Sequence, residues 1–111
     1  MAAKPDTYFS NAVTNTAAAV KTSGGRLRHL HAANTTAAIA YVQFFNLATA
    51  SVTVGTTAPK LAYMMPASSN VTIDFGDKGV EFDTAITIAV ATTATGNTAA
   101  GSLPAISILY N

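Results

Sequence analysis

The stretch Gly25–Leu47, GRLRHLHAANTTAAIAYVQFFNL, holds two apolar runs separated by Asn34-Thr35-Thr36-Ala37. The second run, residues 39–47, is rich in β-branched and aromatic side chains, which suit a pleated, half-buried strand. Successive residues of a strand point to opposite faces, and both faces of this run carry apolar side chains. We therefore predict that the stretch forms the central antiparallel pair of a β-domain. One face of residues 39–47 should meet a partner sheet, and the other a neighbouring element or subunit.

The first run of the stretch, residues 26–31, is more polar than the second. Strict alternation would place its side chains in two sets of three, which are Arg26, Arg28 and Leu30 on one face and Leu27, His29 and His31 on the other. A strand of this composition is expected to be wet on at least one side.

Shorter strands are predicted on both sides of this stretch from alternating apolar residues bounded by turn residues. They cover residues 17–22, 60–65, 70–75, 80–82, 85–92 and 105–110, with a brief strand at 52–54 inside the long connection 48–59. In residues 85–92, Ala and Thr lie opposite the branched side chains, so this small-residue face should lie close under another layer. No helical period appears. The chain is therefore predicted to be all-β, a single antiparallel β-sandwich of seven to eight short strands with Greek-key or jelly-roll connections.

Residues 1–16 show neither a helical nor a strand period, and we interpret them as an extended N-terminal arm that precedes a sandwich domain at 17–111. The arm carries Pro5, Tyr8 and Phe9. Aromatic rings are costly to leave in water, so the arm is expected to reach a neighbouring subunit and bury them there. The alternative is a terminus whose aromatic side chains fold back onto the same subunit.

The composition excludes several classes of protein. The chain has 111 residues, enough for one domain with a core of its own, and it contains no Cys, so disulfides and thiolate chemistry are ruled out. Net charge is +1, too balanced to indicate a nucleic-acid or membrane partner. No apolar run is long enough for a membrane-spanning helix, and no signal peptide is visible. Charged residues make up only 10% against about 25% in typical proteins, which favours a subunit packed against others.

Candidate chemical sites are weak. His29 and His31 lie two residues apart and would point the same way, as metal ligands do, but two partly exposed polar positions on a strand are the favoured interpretation. Four acidic residues surround a Gly-containing turn and resemble an oxygen-rich cation site, although their spacing differs from that of an EF-hand and solvated acids are common in turns: Asp74, Asp77, Glu81 and Asp83. No catalytic motif is present, so we expect neither an enzyme nor a bound cofactor or metal.

The placement of charge is uneven along the chain. Four of the six basic residues precede position 30, and four of the five acidic residues lie between positions 74 and 83. If the two groups occupy different faces, the subunit would have a basic and an acidic side suited to head-to-tail contact in a ring. The alternative is cross-strand pairing within one chain, with Arg26 or Arg28 opposite an acid.

Three segments carry a resemblance to a known class of proteins. They are GRLRHLHAANTTAAIAYVQFFN at 25–46, VGTTAPKLAYMMPASSNVTIDFGDKGVEFDTAITIAVATTATG at 54–96 and ISILYN at 106–111. Their strand-and-loop texture resembles small β-sandwich structural proteins of tailed bacteriophages, which include head decoration or cement subunits, commonly trimeric, and neck, tail and fibre components. The resemblance spans residues 17–111 and gives no counterpart for residues 1–16.

This resemblance implies a non-enzymatic virion subunit, made in the host cytoplasm and located on the capsid surface. It would stabilise the head by bridging neighbouring capsomers. The implied partners are further copies of the chain, with a homotrimer preferred, and the major capsid protein or other virion proteins. The residues expected at these interfaces are Pro5, Tyr8, Phe9, Arg26, Arg28, Asp74, Asp77, Glu81 and Asp83. A neck, tail or fibre component and a glycan- or receptor-binding module are the alternatives.

Overall fold

The computed structural model describes residues 6–101 and 103–111. They form nine β-strands and one 3₁₀ turn at Thr49–Ser51. The strands are β1 Asp6–Ser10, β2 Ala18–Lys21, β3 Gly25–Asn34, β4 Ala40–Phe45, β5 Leu61–Met65, β6 Ser69–Asp74, β7 Val80–Phe82, β8 Ile86–Ala91 and β9 Ala105–Tyr110. No helix among these residues has the length and hydropathy needed to cross a lipid bilayer.

The strands form two antiparallel sheets that pack face to face. The first sheet has the order β1-β9-β3-β6, with β7 pairing β3 beyond the end of β6, and the second has the order β2-β8-β4-β5. The chain changes sheet at each connection except the β4–β5 hairpin and the short link from β6 to β7. This is the strand order of a jelly roll. The predicted all-β sandwich is confirmed.

The prediction that the two runs of Gly25–Leu47 pair with each other is wrong. β3 lies in the first sheet between β9 and β6, whereas β4 lies in the second sheet between β8 and β5. The connection between them crosses the sandwich and is fixed by Asn34, whose buried Nδ2 donates to Ala38 O at 2.9 Å and Met65 O at 3.0 Å. Both runs are central strands of their sheets with two neighbours each, but they are not neighbours of each other.

A β-bulge at Arg28 shifts the alternation of β3. Its pairing with β9 is irregular between Leu27 and His29. The extra residue places Leu27 and Leu30, three residues apart, both in the core at 0% exposure. The two faces predicted from strict alternation are therefore wrong beyond position 27, and His29 and His31 lie on the outer face instead of sharing a face with Leu27.

The core lies between the sheets and is built from their alternate side chains. Phe44 lies at its centre, where its ring contacts Tyr63 edge-on at 6.3 Å and Phe82 at 6.5 Å between centroids. The branched residues of β8 and β9 complete the core, as their alternation predicts: Ile86, Ile88, Val90, Ile106 and Ile108. Each fully buried side chain of this size contributes about 1.5 to 3 kcal/mol relative to exposure.

The outer face of the second sheet is covered by loops of the same chain. Its side chains from β4 and β8 are fully buried: Gln43, Phe45, Thr87, Ala89 and Ala91. Gln43 Nε2 donates to Thr93 O and Gly96 O, each at 3.0 Å, and Thr87 Oγ1 donates to Leu47 O at 2.6 Å. The small-residue face of β8 does lie under another layer. A neighbouring element, rather than a second subunit, covers most of the second face of β4.

The connection between β4 and β5 contains no strand at 52–54. It forms the 3₁₀ turn at Thr49–Ser51 and then a turn in which Thr53 O accepts from Thr56 N and Thr57 N. Gly55 adopts φ +94° and lies against the side chain of Asn97. The connection is thereby folded against the loop that follows β8. The predicted strand at 52–54 does not form, because its alternating residues Val52-Thr53-Val54 pair with no described strand.

Residues 6–16 are part of the domain, so the extended arm predicted for 1–16 is wrong over this range. β1 pairs with β9 over five residues, from Asp6 opposite Tyr110 to Ser10 opposite Ile106. Val13 is 2% exposed in the core, and Val90 N donates to Thr14 O at 2.8 Å. The segment lacks a clear period because β1 carries an aromatic side chain on each face, Tyr8 inward and Phe9 outward, and because Val13 reaches the core from the loop after it. Pro5 lies outside the described residues.

Candidate functional site

The outer face of the first sheet is the one broad sheet face that the described loops leave open. The strand registers place two rows of outward side chains across β1, β9, β3 and β6. We call these rows the open face; they are Thr7, Leu109, His29 and Asp74, and then Phe9, Ser107, His31 and Thr72.

Phe9 is the most exposed large apolar side chain on this face, at 65% exposure. It lies on β1, opposite Ser107 of β9, and points away from the core. Its neighbour Tyr8 points inward and packs against the core. The two aromatic residues predicted to act together therefore divide: Tyr8 holds β1 to its own domain, and Phe9 is available to a partner.

Arg26 and Arg28 both lie beside acidic residues of the segment 74–83, which favours pairing within one chain over separate basic and acidic sides. Arg26 of β3 lies directly opposite Glu81 of β7, and their side chains form a salt bridge at 3.0 Å. Both side chains are about half exposed, so the pair contributes about 0.2 to 1 kcal/mol. The alternative of cross-strand pairing within one chain is correct for Arg26.

A depression of about 250 Å³ lies where the bulge meets the turn that follows β6. Its lining combines side chains of three strands with the turn: Arg28, His29, Asp74, Gly76, Asp77 and Leu109. The turn is shaped by Gly76 and Gly79, which adopt φ +83° and +65°. Asp74 Oδ1 accepts from Gly76 N at 2.9 Å, which fixes the carboxylate at the rim. Three of the residues predicted as interface residues therefore converge here.

A second depression, of about 270 Å³, lies at the N-terminal end of β3, next to β7. It is lined by Gly24, Gly25, Arg26, Glu81, Phe82 and Asp83. Here the guanidinium of Arg26 is already engaged, since Nη1 donates to Lys78 O and Nη2 to Glu81 Oε2, both at 3.0 Å. Because Arg26 and Glu81 pair with each other, this depression offers a ligand fewer unpaired charged groups than the first depression does.

The two histidines take different positions on the open face. His31 Nδ1 and Thr72 Oγ1 are hydrogen-bonded across the strands at 2.8 Å, whereas His29 lies between Leu109 and Asp74. Over residues 6–101 and 103–111, no three His, Asp or Glu side chains are arranged to hold a metal ion. The arrangement instead presents hydrogen-bond donors, acceptors and apolar surface on one face.

Sequence reasoning missed the contribution of β9 to this face. Leu109 and Ser107 face outward between β1 and β3, but the register of a sheet with crossed connections cannot be read from alternation within one strand. The bulge did leave a signal, because Leu27 and Leu30 are the only large apolar residues of the run and lie three apart. A strand with such spacing needs an extra residue to bury both.

A second exposed apolar patch lies on the second sheet, beyond its covering loops. Met64 of β5 is 45% exposed opposite Tyr41, and Ile39 just before β4 is 47% exposed. This patch lies on the opposite side of the sandwich from Phe9. It provides a control surface for tests of the open face.

Comparison of the chain with protein-family models, curated proteins and solved structures finds no match.

Proposed function

We propose that the protein is a non-enzymatic structural subunit of a tailed-phage virion that attaches to neighbouring virion proteins through its open face. A capsid decoration or cement subunit is the preferred position. The observation that carries the proposal is the asymmetry of the sandwich: loops of the chain cover much of the second sheet, while the first sheet leaves Phe9 and Leu109 outward. Exposed aromatic side chains surrounded by polar ones are typical of protein interfaces.

The strand order supports this proposal at the level of fold. Jelly rolls recur in viral capsid proteins, but they also occur in lectins and cupins, so the fold alone does not decide the function. The low content of charged residues, 10%, adds to the resemblance to phage structural proteins because it suits a subunit that stays packed against others.

The dimensions of the open face favour a symmetric oligomer. Four strands about 4.8 Å apart and about five residues long give a flat area of a few hundred Å². Stable interfaces bury about 800 Å² on each partner, so one copy would bind weakly through this face alone. A homotrimer would present three such faces to a lattice and gain avidity.

The proposal is tested first on particles. Quantitative mass spectrometry of purified virions should find the chain in a fixed ratio to the major capsid protein. Complete absence from the particles would refute a virion role, and a copy number near that of a tail or neck protein would move the subunit to that position. Analytical ultracentrifugation of the purified chain measures the oligomeric state, and a monomer throughout the micromolar range would refute a stable trimer.

The role of the open face is tested with a pair of variants. Phe9→Ser should weaken binding to particles that lack the protein by roughly tenfold, since burying most of a Phe side chain contributes about 1 to 2 kcal/mol. Ile39→Ser removes a similarly exposed apolar side chain from the opposite side of the sandwich and should leave binding unchanged. Equal loss in both variants would contradict attachment through the open face.

A further inference from the structure

The depression beside the bulge contains two carboxylates that the protein itself does not neutralise. Neither Asp74 nor Asp77 forms a salt bridge with any residue of 6–101 or 103–111, and the Asp77 carboxylate forms no hydrogen bond with them. Both line the same 250 Å³ space. Exposed acids are common, but two that converge on a concave surface offer several acceptor positions to one bound molecule.

The same space also contains hydrogen-bond donors. Arg28, the bulged residue, is held over it by bonds from Nε to Gly76 O at 3.4 Å and from Nη1 to Asn111 Oδ1. His29 reaches the same space from the adjacent position of β3. These bonds of the guanidinium go to Gly76 and Asn111 and not to Asp74 or Asp77, so Arg28 and the two carboxylates line the same space without bonding to each other.

This combination excludes the simplest ligands. Arg28 opposes an isolated cation, and the carboxylates of Asp74 and Asp77 oppose an anion. A metal ion is disfavoured because the described residues provide no suitable group of three ligands. A neutral molecule with several hydroxyl groups satisfies both sets, since each hydroxyl donates to a carboxylate and accepts from an N–H.

The apolar part of the lining adds a second requirement. Leu109 forms the side of the depression that faces β1, and Phe9 lies on the next row of the open face. A sugar ring has hydroxyl groups at its edge and C–H groups on its face, so it fits polar groups on one side and an apolar side chain on the other. The volume, below the 300 Å³ of small drug sites, suits a single ring.

We propose that the depression formed by Arg28, His29, Asp74, Asp77 and Leu109 binds a neutral saccharide unit. Further units of a glycan would continue across the open face toward Phe9. This site goes beyond structural attachment, because it gives the subunit a specific contact with carbohydrate.

The test uses the purified full chain and the methyl glycosides of glucose, galactose, mannose and N-acetylglucosamine. Titration to about 50 mM, followed by ¹H–¹⁵N NMR, detects dissociation constants in the millimolar range expected for one ring. At least one glycoside should shift the amide signals of Asp77 and Leu109. No shift there with any of the four would overturn the proposal.

Two variants distinguish specific binding in the depression from nonspecific contact of the glycoside with the protein surface. Asp77→Asn removes the charge of an exposed side chain that has no hydrogen bond to lose, and it should weaken binding about tenfold or more. Glu81→Gln removes an exposed acid of the other depression and should leave binding unchanged. Equal affinity in Asp77→Asn and the wild type would overturn the proposal. So would shifts produced by N-acetyl-lysine methylamide and by none of the glycosides, because a cationic protein side chain would then be the ligand.

Discussion

At the scale of single residues, the most consequential polar side chain is buried far from the open face. Gln43 is 0% exposed and ties the loop after β8 to β4 by two hydrogen bonds from its Nε2. Its Oε1 has no hydrogen-bond partner among the described residues. Because both hydrogen bonds form only at one position of the loop, the buried amide of Gln43 fixes where the loop lies. Without this amide, the carbonyl groups of Thr93 and Gly96 would lose their hydrogen-bond donor.

Gln43→Met keeps the side-chain length and removes both hydrogen bonds. We expect a loss of about 2 to 4 kcal/mol in the free energy of unfolding, measured with urea, and faster amide exchange in residues 93–96. Thr72→Val is the control, because it removes a hydrogen bond on the open face where water replaces it, and should change stability by less than about 0.5 kcal/mol. Similar losses in both variants would contradict the clamping role of Gln43.

A second residue-scale prediction concerns pH. Burial raises the pKa of the Tyr63 hydroxyl, which lies among the aromatic rings of Phe44 and Phe75. The folded state therefore holds this proton more tightly than the unfolded state, whose pKa is about 10. Stability from this group is complete below pH 10 and is lost as the pH rises from there through the folded-state pKa. Tyr63→Phe should show a shallower decline in urea midpoint than the wild type between pH 9 and 11; parallel curves would contradict this origin.

At the scale of elements, the turn between β6 and β7 shapes the proposed site. Gly76 and Gly79 both have positive φ, but a Cβ at Gly79 would lie 2.6 Å from Leu27 O, whereas one at Gly76 meets nothing within 4 Å. Any L-residue at either position costs about 1 to 2 kcal/mol. Only Gly79 adds a collision with the backbone of β3.

We therefore expect Gly79→Ala to destabilise the domain by about 1 to 3 kcal/mol more than Gly76→Ala. Thermal unfolding followed by circular dichroism measures the difference. Equal melting temperatures for the two variants would show that the close approach of the turn to β3 is not maintained in solution.

β1 provides the second prediction about an element. Deleting residues 1–16 removes five residues of pairing with β9, the packing of Tyr8 and the buried Val13, so the domain itself should lose stability. The single substitution Val13→Ala should already cost about 1 to 3 kcal/mol in urea unfolding. Phe9→Ser, on the exposed side of the same segment, should cost less than about 0.5 kcal/mol. An unchanged urea midpoint after the deletion would contradict this prediction and support the interpretation of residues 1–16 as an arm that does not pack on the domain.

All the strands except β1 could be predicted from sequence, because they are short runs of branched or alternating apolar residues bounded by turn residues. The predicted strand at 70–75 is an example, and it is observed as β6, Ser69–Asp74. Val71, Ile73 and the following Phe75 pack toward the core while Thr72 and Asp74 face out, as their period indicates. The partners of each strand could not be predicted, because pairing depends on crossed connections such as the one at Asn34. The candidate site was predictable only in part. Its acidic residues and Arg28 could be identified by their charge, whereas the position of Leu109 in the site depends on the sheet register, which the sequence does not show.

At the scale of the whole molecule, the sandwich has one covered side and one open side. The loops at 46–60 and 92–101 meet over the second sheet, where Gly55 lies against Asn97 and Asn15 Nδ2 donates to Asn97 O at 2.7 Å. The proposed attachment and the proposed ligand binding would therefore use the same surface, the outer face of the first sheet. A saccharide in the depression and a protein on Phe9 would therefore be neighbours, and each can be tested separately with the Asp77 and Phe9 variants.

The central position of β9 in the first sheet sets the order of events during synthesis. β1 and β3 are not neighbours; each pairs with β9, whose residues 105–110 leave the ribosome about a hundred residues after β1. The first sheet therefore cannot be completed on a nascent chain that lacks residues 105–110. Until these residues are available, β1 and β3 each keep an unpaired edge. Folding dominated by such distant pairing takes milliseconds to seconds, and aggregation competes with it during this interval.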